Sequence, residues 1–233
     1  MTTNMLLGGL PDGERRHMQG LLRRMPLVLR HNLELPGQQI GEVCFVDSGI
    51  VSVVAALPGD RRCEVGLIGC EGITGLSILH GIDTGAHQLI VQLAGEAQCL
   101  PAAELVRTME RMPALRTALW RYAHSFLVQV TGTALSNATG GLAERLARWL
   151  LMAHDRVEGN DIALTHEFLS VMLAVQRPGV TLALHELEGR GQIKTARGSI
   201  CIVDRGGLIV TANKSYGIPE AEYRRVMDLP LAA

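Results

Sequence analysis

A cluster of residues in one short stretch carries side chains suited to reading base edges. Gln176 and Arg177 can reach bases or phosphates, and Thr181 and Leu182 can touch thymine methyl groups. Pro178 and His185 share their face. Lys194 and Arg197, further along, fit contacts to the sugar-phosphate backbone, which set register rather than sequence preference.

Two short helices and a tight turn would have to position these groups. Leu164 to Ile193 reads LTHEFLSVMLAVQRPGVTLALHELEGRGQI. Thr165 suits the N-cap of a first helix, since its hydroxyl can accept from a free first-turn N–H. Leu164 and Leu169 stand where a hydrophobic staple needs them, and Glu167 suits the positive end of the helix dipole. Phe168, Leu169, Met172 and Leu173 make one apolar face. Ala174-Val175-Gln176 is the connection. The second helix is expected from about Pro178, which tolerates the missing N–H of a first turn and biases Arg177 away from helix. Val180, Ala183, Leu184 and Leu187 form its buried stripe, and Gly191 its stop. Pro178, Thr181, Leu182 and His185 point the other way. That pattern fits a helix-turn-helix with its second helix in the major groove. It also fits an ordinary helical hairpin inside a larger core.

The next residues separate the two. Ile193-Lys194 and Ser199 to Val203 are strand-like runs flanking Ala196-Arg197-Gly198, a hairpin directly after the second helix and hence a wing. With the preceding ERLARWLLMAHD (residues 144–155) and the wing KTARGSICIVD, this stretch resembles the Crp/Fnr family of bacterial transcription regulators. The resemblance implies an α+β chain: an N-terminal jelly-roll-like β domain, a long dimerisation helix and a C-terminal winged helix-turn-helix domain. It implies a homodimer on double-stranded DNA at a near-palindromic operator, with RNA polymerase as a further partner.

The N-terminal half extends the likeness. Short strand-like runs alternate with turn signals: Leu33 to Ile40 around Pro36-Gly37, Val43 to Val46, Ile50 to Leu57 before Pro58-Gly59-Asp60, Cys63 to Ile68, His87 to Leu93 and Ala97 to Leu100. Such spacing suggests a sandwich or barrel. GEVCFVDSGIVSVV resembles a strand-turn-strand of the cyclic-nucleotide-binding fold, and GLIGCEGITGLSILHG (residues 66–81) takes the place of its phosphate-binding cassette, where backbone N–H groups meet an anion. The expected effector pocket is Gly72, Ile73, Thr74, Gly75 and Leu76 with Asp83 and Thr84. The cassette departs from the cyclic-nucleotide binders. They carry Gly-Glu where this chain has Gly72-Ile73, and Arg-Ser where it has Asp83-Thr84. That argues against cAMP and leaves a different effector or a closed structural pocket.

Helices are expected over Pro101 to Met112 and from Pro113 to about Asn137. Leu115, Leu119, Tyr122, Phe126 and Val130 recur at helical spacing, and the resemblance makes that stripe the dimer interface; a long helix within one domain is the alternative. Thr139-Gly140-Gly141 marks a hinge, followed by an amphipathic helix over 142–155. The expected division is 1–112 for the sensor, 113–138 for the dimerisation helix, 139–213 for the DNA-binding domain and 214–233 for a mobile tail. Residues up to about Leu29 read as a helical lead-in.

Composition narrows the functions. The chain has 233 residues, 19 % charged and of net charge −1, so DNA binding must rest on local placement rather than overall charge. Arg190, Lys194, Arg197 and Arg205 supply it near the wing. No signal peptide or membrane-spanning run is recognised, which gives a cytoplasmic expectation and no membrane partner. The five cysteines are scattered without a C-x-x-C pair, so all are expected as reduced thiols, with no iron–sulfur cluster. His80 and His87 stand alone, against haem, against a metal site and against a jelly-roll enzyme. The protein is expected not to be an enzyme. The remaining alternative is a small-molecule binder whose winged helix meets another protein.

Overall fold

A computed structural model describes residues 4–59 and 61–228. Asp60 of the predicted turn and the end of the predicted tail lie outside them. Two helices lead in, α1 (Met5–Gly8) and α2 (Asp12–Leu21). The chain continues as β1 (Arg23–Leu27), β2 (Asn32–Glu34), β3 (Glu42–Val46), β4 (Ile50–Leu57), β5 (Arg61–Ile68), α3 (Leu76–Leu79), β6 (Gln88–Leu93) and β7 (Gly95–Pro101). Helices α4 (Ala102–Arg111), α5 (Pro113–Thr139) and α6 (Leu142–His154) follow. The C-terminal part is β8 (Asp161–Ala163), α7 (His166–Met172), α8 (Arg177–Gly189), β9 (Ile193–Ala196), β10 (Ser199–Ile202), α9 (Arg205–Thr211) and α10 (Ile218–Met227).

The N-terminal strands form two sheets, ordered β1-β7-β3 and β2-β6-β4-β5, with Phe45, Val51, Ile68, Val91 and Leu100 buried in the core they share with the flanking helices. The lead-in is shorter than its sequence suggested: Arg23 to Leu27 pair antiparallel with β7. The Asp47-Ser48-Gly49 turn between β3 and β4 requires glycine. Gly49 has φ +84°, and a Cβ there would lie 2.5 Å from the Leu93 carbonyl oxygen.

Two cysteines depart from expectation. The β3–β7 register sets Cys44 directly opposite Cys99, and the two are joined in a disulfide with Cα atoms 4.1 Å apart. Fifty-five positions of sequence separate them, so only strand pairing reveals the partnership. Cys63, Cys70 and Cys201 are free and half-buried.

Helix α5 is where the predicted dimer stripe is corrected. Leu115 and Leu119 are 0 % exposed and Tyr122 is 2 %, all inside the protomer's own core. Phe126 packs against that core as well. The stripe at helical spacing is the side that lies on the β-roll. Of the predicted set, Val130 alone lies off that core, half-buried.

The next helix, α6, was expected to be amphipathic. Instead every residue from Leu146 to Ala153 is buried, because α6 is enclosed on two sides. Ile50 and Leu67 of the roll share one apolar cluster with α6 and with Leu169, Met172, Val180 and Leu184 of the following helices. Arg148 stays within this interior by donating to the Ser215 carbonyl at 2.9 Å, Thr133 Oγ1 at 3.2 Å and the Gln129 carbonyl at 3.5 Å.

The predicted mobile tail is likewise an ordered helix over its described part. α10 lies along α5: His124 Nε2 and Glu222 Oε1 are 2.8 Å apart, Val226 is buried, and Tyr223 Oη donates to the Glu71 carbonyl at 3.1 Å.

Leu115→Ala should destabilise the protomer by about 2–5 kcal/mol, measured by urea unfolding. A cost under about 1 kcal/mol would mean that the residue does not sit in a tight intrachain core.

Candidate nucleic-acid interface

The first helix of the unit begins as its residues require. Thr165 is the N-cap of α7, its Oγ1 accepting from the Phe168 N–H at 3.3 Å. Leu164 and Leu169 are both buried, as a staple demands. The turn is closed by the Val175 N–H donating to the Ser170 carbonyl at 3.0 Å. Ala174 adopts the left-handed conformation there, φ 49°, which costs a non-glycine residue roughly 1 kcal/mol.

The second helix starts one residue before the predicted boundary. Arg177 is the first residue of α8, Gln176 is its N-cap and Pro178 lies in the first turn. Pro178 is tolerated in the first turn because the N–H it lacks would have no helical acceptor there, and Arg177 is helical despite the proline that follows it. The Gln176 side chain makes no cap bond. Val180, Ala183, Leu184 and Leu187 are the buried face. Gln176, Arg177, Pro178 and His185 are exposed, Thr181 is half-exposed, and Leu182 is 70 % exposed. The candidate base readers thus occupy one open face, and the core stripe occupies the other.

Behind α8 the wing is fixed to it. β8, β10 and β9 form a sheet in that order, with Gly198 at φ +77° in the turn. Glu188 on α8 accepts from the Thr195 N–H at 2.9 Å and from Thr195 Oγ1 at 3.0 Å. Those two bonds lower its carboxyl below the ordinary range. At the base of the wing, Gln192 Nε2 donates to the Gly207 carbonyl and to Thr211 Oγ1 at 3.0 and 2.8 Å. Glu188 and Gln192 are positioning residues that the sequence did not single out, because each acts on a partner in another element. Lys194 and Arg197 stand exposed on the wing.

The other two wing-side arginines are engaged within the chain. Arg190 pairs with Glu186 at 2.6 Å. Arg205 pairs with Asp155 at 2.6 Å and lies over the Tyr216 ring. Their charge braces the domain instead of extending the wing.

Residues 144–210 match the model of the Crp-like helix-turn-helix domain. The C-terminal part of the chain therefore holds a Crp-like helix-turn-helix domain. No curated protein matches the chain in sequence. Solved structures share the fold of the chain at low identity. FixK2 from Bradyrhizobium japonicum is 16 % identical with a TM-score of 0.71, over 82 % of this chain and 97 % of that one. The c-di-GMP-responsive global regulator CLP of Xanthomonas campestris is 19 % identical with a TM-score of 0.66, over 82 % and 99 %. A CRP-family transcriptional regulator from Thermus thermophilus is 20 % identical with a TM-score of 0.64, over 84 % and 98 %.

Within this fold the cassette is closed by the chain itself. Gly75 N–H, a donor of the kind that would meet a phosphate, gives its hydrogen bond to Glu34 Oε1 at 2.6 Å. Burial raises the Glu34 carboxyl above its ordinary range, against the pull of that bond. Thr74 donates its N–H to the Cys44 carbonyl and its Oγ1 accepts from the Cys44 N–H, both at 2.9 Å. Ile73 is wholly buried. A Cβ on Gly72 would lie 2.1 Å from Tyr122 Oη. Asp83 and Thr84 lie exposed on the surface. The residues grouped in sequence as an effector pocket therefore divide into a packed interior, from Gly72 through Gly75 with Leu76 half-buried, and a surface pair. Open space lies further out, between the roll and the C-terminal domain. It is a cavity of about 270 Å³ whose lining includes Glu71, Tyr122, Phe126, Arg156, Tyr216 and Tyr223.

Thermal unfolding with and without millimolar cAMP should give the same Tm, since glutamate and tyrosine already occupy the cassette. A rise of several degrees would show that the cassette opens to a cyclic nucleotide.

Proposed function

We propose that this chain is a Crp-family regulator that reads a near-palindromic operator as a homodimer, with base contacts from Gln176, Arg177, Thr181, Leu182 and His185. Lys194 and Arg197 hold the phosphates, Pro178 shapes the start of the reading helix, and RNA polymerase is the further partner. The observation that carries the reading is the open, partly polar face of α8, held against a wing whose basic residues point outward. Leu182 and Thr181 favour methyl contacts, so part of the specificity comes from thymine positions and from duplex shape. One such domain covers few base pairs, and two related by a two-fold axis read half-sites about one DNA turn apart.

The dimer contact in this reading is the outer face of α5 and not the stripe buried on the roll. Trp120, Leu127 and Ala134 recur every seven residues, with Ala123 and Val130 between them, which is the repeat of a coiled-coil seam. Trp120 is 53 % exposed and Leu127 62 %. An apolar groove continues that face beside His124 and Val128, bounded by Val210 and Ile218. An effector, in the same reading, acts through the cavity between the domains.

Arg177→Ala should reduce the ratio of operator to random-duplex affinity by about tenfold or more. Lys194→Ala should weaken both alike and flatten the salt dependence. Fluorescence anisotropy over a salt series measures both; unchanged discrimination in the arginine variant would remove it from the base readers. Binding insensitive to salt would favour a protein partner for the wing. Leu127→Glu, at a site already open to solvent in the protomer, should halve the mass seen in analytical ultracentrifugation. A persistent dimer would place the interface elsewhere.

A further inference from the structure

The seam between the β-roll and the DNA-binding domain holds a buried carboxyl. Glu64 on β5 is 4 % exposed and faces α6, where Trp149 Nε1 donates to its Oε1 at 2.6 Å. Trp149 is itself 5 % exposed. Glu64 Oε2 is buried, with no hydrogen-bond partner among the described residues. Ser52 and Gln92, on β4 and β6, are 0 % and 1 % exposed in the same layer, and Met172 of α7 closes it from the other side. The Glu64–Trp149 bond thus joins the two domains at a buried place, where an unsolvated charge is costly.

The charges around it are committed elsewhere. Arg148 of α6 donates to the Ser215 and Gln129 carbonyls and to Thr133 of α5. Arg156, just beyond α6, pairs with Glu71 at 2.7 Å. Arg145 of α6 bonds Asn137 of α5 and the Leu173 carbonyl beyond α7. Cys63, next to Glu64 on β5, is a free thiol whose pKa is raised, first by burial and then by the Glu64 charge. On β4, β6 and α7 the facing groups are the uncharged Ser52, Gln92 and Met172.

We propose that the Glu64–Trp149 contact is a proton-operated latch: the domains dock tightly while Glu64 holds a proton, and loss of that proton loosens the DNA-binding domain from the roll. The carboxyl is buried between β5 and α6, so parting the two domains would open it to water. Titration agrees. Burial pushes the Glu64 carboxyl up to about 7, against the opposing pull of its Ser52 and Trp149 bonds and of the Arg156 and Arg148 charges. The docked form therefore binds the proton more tightly than an open form, where Glu64 would return toward 4.5. Docking is strongest below the open-form value, weakens as pH rises between the two, and levels off above the docked-form value. Between pH 6 and pH 8 the docked-to-open ratio should fall about tenfold.

The seam lies within one protomer, so the test stands apart from DNA reading and dimerisation. Protein labelled with ¹⁵N-tryptophan is titrated from pH 5.5 to 8.5, and the Trp149 indole is assigned by its loss in Trp149→Phe. Its resonance should move with a midpoint near 7 while that of exposed Trp120 stays still. In the isosteric Glu64→Gln it should not titrate. Subtilisin cleavage at residues 140–141 should run about tenfold faster at pH 8 than at pH 6 in the wild-type chain relative to Glu64→Gln. A Trp149 resonance that ignores pH, one that titrates equally in Glu64→Gln, or cleavage rates with the same pH ratio in both proteins would overturn the latch.

Discussion

Helix α5 has to satisfy several neighbours at once, and the rest of the molecule is arranged around that constraint. One face carries Leu115, Leu119 and Tyr122 into the roll. A second receives α10, with His124 against Glu222 and Gly132 beside Pro219, where an added Cβ would come within 3.3 Å of the proline ring. The third shows Trp120 and Leu127 to solvent. A helix apolar around most of its circumference cannot stand alone in water. Two of its faces are covered by its own chain, and under the proposed reading a second copy covers the third.

This arrangement ties the two halves of the chain together. The linker at Gly140 is not all that joins the C-terminal domain to the roll. That domain is held by α6, buried along Leu146 to Ala153, by the Arg156–Glu71 pair, with side chains 8 % and 14 % exposed, and by α10 reaching back to the cassette through Tyr223. Glu71 lies next to Gly72 at the start of the cassette, so a change in the roll has a short route to α6. A two-state account of regulation needs such an element, one whose two arrangements differ in contacts that an effector can favour.

Local structure was legible in the sequence wherever the cause was local. Thr165 caps its helix, Val180 and Leu187 face inward, Gly191 and Gly198 take positive φ, and the wing follows at once. What stayed hidden depends on partners far along the chain. The period of α5 marked a face at Leu115, Leu119 and Tyr122 without saying whether a roll or a second copy would cover it. Cys44 and Cys99 meet only through strand register. Glu34 and Gly75 are 41 positions apart, so the cassette's self-closure could not be read from the cassette itself. Glu64 and Trp149 each look ordinary until β5 and α6 are packed together.

Selection of bound sequences from random duplex DNA, using purified ligand-free protein, shows whether α8 and its wing read DNA with two-fold symmetry. The expected result is enrichment of a site with two inverted halves whose centres lie about one helical turn apart. Enrichment of a single unpaired half-site would contradict the dimeric reading, and no enrichment, with or without candidate effectors, would contradict DNA reading by this face.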